Sequence, residues 1–322
     1  MTKTQDLYRG TLLGAAIGEA LGATTEGLSR SEIRSQLGGQ HRSIKGGGPF
    51  GFKPGQTGDL TSLILATATH LIETATPDPK ELMKALAAVE PAANRDDITG
   101  EAIGSYKPRG KDVFSTARKA LEARKGSAPL GHALPRLAPV ALLRRLLFQE
   151  LTSETILACQ LTHQDQLTID AALAFAFGVS YLTSGKDSSK LLFKTWRFVS
   201  ESRPTPLYVE TVGGESPSPD MVLMLKSVND AQYDDLKADG NAQELVKAAY
   251  WLTLEAIDFE EGMIRAVNMG QSNMLMGTIA GALLGARFGF QAMPEEWIQA
   301  IDQRKALESF ADKLCKMAEP KK

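Results

Sequence analysis

The sequence predicts an all-α fold forming one domain over residues 1–322, and three observations predict it. Apolar residues recur at helical spacing along almost the whole chain. Alternating strand patterns are nearly absent, and neither a repeat of fixed period nor a low-complexity block intervenes. Two rows of glycine, Gly10-Gly14-Gly18-Gly22 and Gly277-Gly281-Gly285, stand four residues apart within apolar segments. Residues at i and i+4 lie over one another on a helix, so each row is a bare ridge open to a neighbouring backbone. Glycine costs about 1 kcal/mol against alanine in a helix, so its repetition points to close packing that offsets the loss.

The elements follow in order. Leu7–Ala23 reads as a helix, and a glycine-rich loop runs from Leu28 to Thr57, with Gly46-Gly47-Gly48 before Pro-Phe-Gly. Helices are expected at Leu60–Ile72, with Asp59 as its N-cap, and at Pro79–Val89. A polar stretch carrying Asn94-Arg95-Asp96-Asp97 separates them from helices at Asp112–Ala123 and Leu137–Glu150. Ser153–Cys159, Thr168–Thr183 and Ser189–Phe198 continue the pattern, and the prolines of Arg203–Asp220 mark a surface loop. Met221–Asn229, Ala242–Asp258 and Asp258–Asn268 lead to the second glycine ridge within Val267–Ala286. A short helix near Pro294 and an amphipathic one at Arg304–Met317 close the chain.

Composition excludes several classes of partner. The 43% hydrophobic and 23% charged content is that of an ordinary globular protein, and the net charge of −2 offers no basic surface to nucleic acid. Only Cys159 and Cys315 occur, and two well-separated cysteines in a long chain read as buried or free thiols of a reducing compartment. The polar start MTKTQDLYRG shows no signal peptide, and the run Met274–Ala286 is too short to cross a bilayer, so a cytoplasmic, membrane-free protein is expected.

Several segments, in one order, resemble the ADP-ribosylglycohydrolase family, which includes the dinitrogenase reductase-activating glycohydrolases. GTLLGAAIGEALGATTEG is similar to the family's GAxxGDALGxxxE, with Glu19 at the usual Asp and Glu26 at the following Glu. GQTGDLTSLILA matches a TDDT stretch, placing Gly58, Asp59, Leu60 and Thr61 on its four positions. LGHALPRLAPVAL resembles GNGxxMRxxPL, with His132 at the Asn and Arg136 and Pro139 retained. LTHQDQLTIDAALAFA resembles THxxxxAxxAAxxxA, and NMGQSNMLMGTIAGALLGA resembles GGDADTxGxIxGxxxGA. In that last motif Ser272 and Met274 fall on the two Asp positions and Leu275 on the Thr.

The resemblance implies an orthogonal helical bundle and hydrolysis of ADP-ribosyl groups with two magnesium ions. Magnesium requires oxygen ligands in near-octahedral array. Of the matched positions Glu26, Asp59 and Thr61 keep oxygen donors of the family type, whereas Leu60, Ser272, Met274 and Leu275 do not. The expectation is therefore a degraded ion site, no cofactor, and Glu26, Asp59 and Thr61 as remnant candidates. Glu19 is expected to be partly buried and paired with Arg136 or Arg9. His163 is read as structural, Asp96-Asp97 as a polar turn, Gly46–Gly48 as a mobile loop beside the old cleft, and Cys159 as core. Met263, Met269, Met274 and Met276 read as filler of irregular gaps. The leading functional expectation is a non-catalytic structural protein like the jellyfish J crystallins of the eye lens, which resemble this family. The alternatives are a divergent magnesium-dependent ADP-ribosyl hydrolase and a non-hydrolytic ADP-ribose-binding module.

Overall fold

The computed structural model describes residues 1–110, 112–201 and 218–319. Its helices are α1 (Lys3–Gly22), α2 (Arg30–Gln36), α3 (Asp59–Thr74), α4 (Pro79–Ala87), α5 (Asp97–Gly104) and α6 (Ser115–Glu122). They continue as α7 (Ala138–Leu143), α8 (Phe148–Gln160), α9 (Gln166–Thr183), α10 (Leu191–Glu201) and α11 (Pro219–Ser227). The last are α12 (Ala242–Glu255), α13 (Phe259–Val267), α14 (Asn273–Phe288), α15 (Glu295–Ala300) and α16 (Arg304–Ala318). No strand occurs among the described residues; Gly47–Phe52 and Leu130–Asn241 form isolated bridges. The all-α expectation holds.

The glycine ridges dictate the centre. Gly10, Gly14, Gly18 and Gly22 of α1 meet Gly285, Gly281, Gly277 and Asn273 of α14 in reverse order, so the two helices run antiparallel, backbone against backbone. A β-carbon at any of the four α1 positions would collide with an α14 carbonyl. Around this pair, α16 packs on α1, and α9, α12 and α13 pack on α14. α3 lies against α16, α7 and the 3-10 turn Pro135–Leu137. One buried apolar cluster runs from Tyr8 to Cys315. By length and hydropathy α9 would pass as a membrane span, yet 89% of it is buried inside the bundle.

Local chemistry sets the ends. Thr2 and Gln5 form a capping box on α1, as Ser29 and Glu32 do on α2, and Asp165, Asn241 and Asp258 cap α9, α12 and α13. Both α2 and α5 lie in stretches whose polarity concealed short helices. The continuous helix expected at Leu137–Glu150 is broken between α7 and α8, where Leu146 takes a left-handed φ of 68°. Arg144 there turns to Glu154 at 2.8 Å, and the Leu146 amide donates to Ser180 Oγ at 3.2 Å. The apolar Leu146 and Leu147 are left exposed, which periodicity alone does not foresee. The expected loop Arg203–Asp220 falls outside the described residues up to 217, and its end, Pro219-Asp220, already belongs to α11.

Cys159 lies wholly inside the core on α8, and burial pushes its thiol up to about 12. A thiolate is the reactive species, so Cys159 should resist maleimide at pH 8 in the native protein and react only in denaturant. Peptide mapping after labelling checks this; native modification at Cys159 would contradict its placement.

Candidate functional site

At one end of the central pair, the C-terminus of α1 meets the N-termini of α3 and α14. Gly18 and Gly22 turn one face of α1 onto α14, and Glu19 faces α3 instead. It is fully buried. Its Oε1 accepts the Leu60 amide at 3.1 Å and Asn94 Nδ2 at 2.8 Å, and its Oε2 accepts the Thr61 amide at 3.0 Å. Glu19 thus satisfies backbone donors in the first turn of α3, groups that no preceding turn can pair. Burial raises its pKa, opposed by hydrogen bonds from Thr61 and Asn94. The expected pairing with Arg136 or Arg9 is corrected: Arg9 binds Glu308 and Asp312 on α16, and Arg136 binds elsewhere.

Asp59 is not the cap of α3 but its first residue; Gly58 occupies the cap position with no side-chain bond. The Asp59 carboxylate, 2% exposed, is held by Arg95 Nη2 at 2.7 Å and Nε at 2.8 Å. Leu60 and Thr61 are buried behind it.

Glu26 follows α1 and caps α14, accepting the Met274 amide on Oε2 at 2.6 Å. The α14 N-terminus, with its unpaired amides, draws Glu26 in. Burial is the largest influence on it and pushes its pKa up to about 7, with Glu19 adding to the rise and the Met274 and Asn273 amides opposing it. The turn before α14 hangs on the loop after α1. Gln271, at a positive φ of 67°, donates to Leu28 O at 2.7 Å and accepts from the Gly27 amide at 2.8 Å. Ser272 caps α14 without a side-chain bond.

Met274 is 2% exposed and packs with Ala23 and Phe52, while Leu275 joins the main core. Met274 thus fills an apolar gap, as expected of a methionine. Met263, Met269 and Met276 are likewise buried. Phe52 arrives on the glycine loop, which is tied down rather than loose. Gly47 and Phe52 exchange two backbone hydrogen bonds, Thr24 Oγ1 donates to Gly46 O at 2.8 Å, and Gly48 lies against the Ala23 carbonyl.

Beside α3 runs a buried relay. Arg136 Nη2 donates to Thr162 Oγ1 at 2.6 Å, and Thr162 Oγ1 lies 2.7 Å from His163 Nδ1. Arginine only donates, so Thr162 Oγ1 is the acceptor for Arg136, and its second contact is to Nδ1 of a ring whose other nitrogen is Nε2. That Nε2 faces Asp96 Oδ1 at 3.7 Å. Burial keeps His163 neutral. Asp96, against its own burial, is held down to about 2 by the neighbouring His132 and by its bonds to Thr99. Asp96 is more than a polar turn: it is the N-cap of α5, accepting the Thr99 amide at 2.9 Å.

The donor set does not suit two magnesium ions. Leu60, Met274 and Leu275 offer no oxygen ligand, Asp59 is neutralised by Arg95, and Glu19 and Glu26 are spent on backbone amides. Among the described residues no three His, Cys, Asp or Glu side chains come close enough together to hold an ion. The residues that sequence reading missed are Asn94 and Arg95, which carry no helical spacing to α3.

The fold and these helix ends define a class: an all-α bundle with acidic side chains gathered at the ends of its central helices. The ADP-ribosylglycohydrolase family model matches residues 1–322, and the chain belongs to that family. It is 24% identical over 98% of its length to an ADP-ribosylarginine hydrolase of Serratia proteamaculans, of which it covers 81%. It is 27% identical over 93% of its length to the ADP-ribosyl-[dinitrogen reductase] glycohydrolase of Rhodospirillum rubrum, covering 91% of that chain. A solved structure described as an ADP-ribosylglycohydrolase-related protein complex superposes with a TM-score of 0.78 at 27% identity, over 99% of this chain and 100% of the other. These relatives are named for ADP-ribosyl hydrolysis or the family and none for a lens role, so the structural-crystallin expectation gains no support from them.

Proposed function

We propose that this protein recognises ADP-ribosyl groups, with ADP-ribosylated arginine as the substrate class, and does so without a two-magnesium centre. The observation that carries the reading is the set of acids gathered where the end of α1 meets the starts of α3 and α14. Glu26 and Asp59 stand at the N-termini of α14 and α3, on the positions matched to family acids, while Asp59 is already neutralised by an arginine. Whole-length similarity to an ADP-ribosylarginine hydrolase supports the ligand class. The engaged acids support recognition over turnover, because a glycosidic bond needs an acid and a base, or metal-bound water, free to act.

A second reading, slow hydrolysis, is favoured by Glu26. A carboxyl with its pKa pushed up to about 7 exchanges a proton near neutral pH and suits general acid–base work. The two separate in one experiment. Calorimetry with ADP-ribose in EDTA should give a saturable heat, unchanged by magnesium, and an ADP-ribosyl-arginine peptide should stay intact. No heat at millimolar ADP-ribose would refute recognition. Magnesium-independent release of ADP-ribose, lost in Glu26→Gln, would establish the second reading in place of the first.

A further inference from the structure

The linker between α4 and α5 places two consecutive side chains where α1 meets α3. Asn94 Oδ1 accepts the Asp59 amide at 2.8 Å, and its Nδ2 donates to Glu19 Oε1 at 2.8 Å. Arg95 closes on Asp59 Oδ1 with both Nη2 and Nε and also donates from Nη2 to Val89 O at 3.1 Å. Its side chain is 10% exposed and that of Asp59 2%, so the pair is largely shielded from solvent.

Two departures in α3 make room for this arrangement. A β-carbon at Gly58 would stand 2.8 Å from Asn94 Cγ, so any side chain there expels Asn94 from its place. At the next-but-one position Leu60 replaces an acid with an apolar group that is 5% exposed. A second carboxylate would leave the one guanidinium outnumbered. With Leu60, one Asp59 charge meets one Arg95 charge and the balance is zero.

We propose that Asn94 and Arg95 are a resident replacement for a divalent cation in this cleft. The guanidinium supplies the positive charge that Asp59 requires, and the amide supplies the bridge between α1 and α3. Gly58, Leu60, Asn94 and Arg95 form one coupled set, in which Arg95 is the member that keeps an ion away from Asp59. A dication approaching Asp59 meets the Arg95 guanidinium already seated on that carboxylate, and like charges repel more strongly in a largely shielded place than in open water. The inference does not depend on which ligand the cleft recognises.

The test is manganese binding, followed by the loss of the free-ion electron paramagnetic resonance signal on titration with full-length protein. Wild type should leave the signal unchanged. Arg95→Ala should take up manganese at least tenfold more tightly than wild type, in competition with magnesium, and Asp59→Asn in that background should abolish the gain. Arg95→Gln, which removes the charge and keeps a hydrogen-bonding side chain, carries the same expectation if circular dichroism shows the alanine variant unfolded. Magnesium-competable binding by wild type would overturn the proposal. So would a folded Arg95 variant that gains no affinity. Either result is read from the ion alone, separately from the ADP-ribose calorimetry.

Discussion

Gly18→Val is expected to cost about 4 kcal/mol or more, a large share of the roughly 5–15 kcal/mol margin of an ordinary domain. The added β-carbon would fall on the Gly277 carbonyl and within 2.8 Å of the Thr278 amide nitrogen. Overpacking in a core of side chains typically costs about 1–3 kcal/mol, because side chains yield by changing rotamer. Here the obstacle is backbone in the middle of α14. Relief requires that α1 and α14 separate along their length, and with them the helices α9, α12, α13 and α16 that lean on the pair. Guanidinium unfolding followed by far-ultraviolet circular dichroism measures the loss. Gly104→Ala is the control, since its β-carbon would meet nothing within 4 Å and its φ is ordinary; it should be neutral or stabilising by up to about 1 kcal/mol. A Gly18→Val protein within 1 kcal/mol of wild type, roughly the overpacking minimum, would refute the ridge-on-ridge contact.

Glu19→Leu should follow, at about 3 kcal/mol. The substitution matches the apolar surroundings, so a view of Glu19 as a misplaced charge predicts a gain. Its three hydrogen bonds predict the opposite. The amides of Leu60 and Thr61 and the Asn94 side chain would all lose their acceptor in a buried place. Each orphaned donor costs about 1 kcal/mol or more. Asn94, no longer anchored on α1, would also loosen its grip on the Asp59 amide. Glu19→Gln retains one oxygen but turns an NH2 toward a backbone donor, and should lose about half as much. Denaturant midpoints of the three proteins decide the matter. A more stable Glu19→Leu protein would mean that the carboxyl is a liability rather than the acceptor that orders α3.

The legible part of this molecule is the part governed by local or periodic signals. Both glycine ridges announced close packing, and the structure pairs them residue for residue. The retained and lost acids were also legible, since Leu60, Met274 and Leu275 cannot ligate magnesium in any fold. The helix expected from Ala242 does start there, its first amides taken by Asn241 within three residues. The site itself was less legible. Asp59 was read as a cap because the capping signal is local, whereas its real partner, Arg95, lies 36 residues away in a stretch with no period. Glu19 looked for an arginine, since a buried acid calls for a cation; its actual partners are backbone amides, and amides have no sequence signature. The role of Glu26 as a cap was hidden because nothing in the chain says that the start of α14 swings back to the end of α1.

By itself, then, the sequence determined the all-α class, the two helices that must touch, and the chemistry that the matched positions can no longer supply. These rest on residue type and on spacings within a few turns. Only the tertiary structure decided that Asn94 and Arg95 fill the space between α1 and α3, that Phe52 closes over Met274, and that Glu26 caps α14. Each of those contacts joins segments far apart in the chain. They form because buried charges and helix-end amides must find partners, and which partner is nearest is settled by how the helices pack.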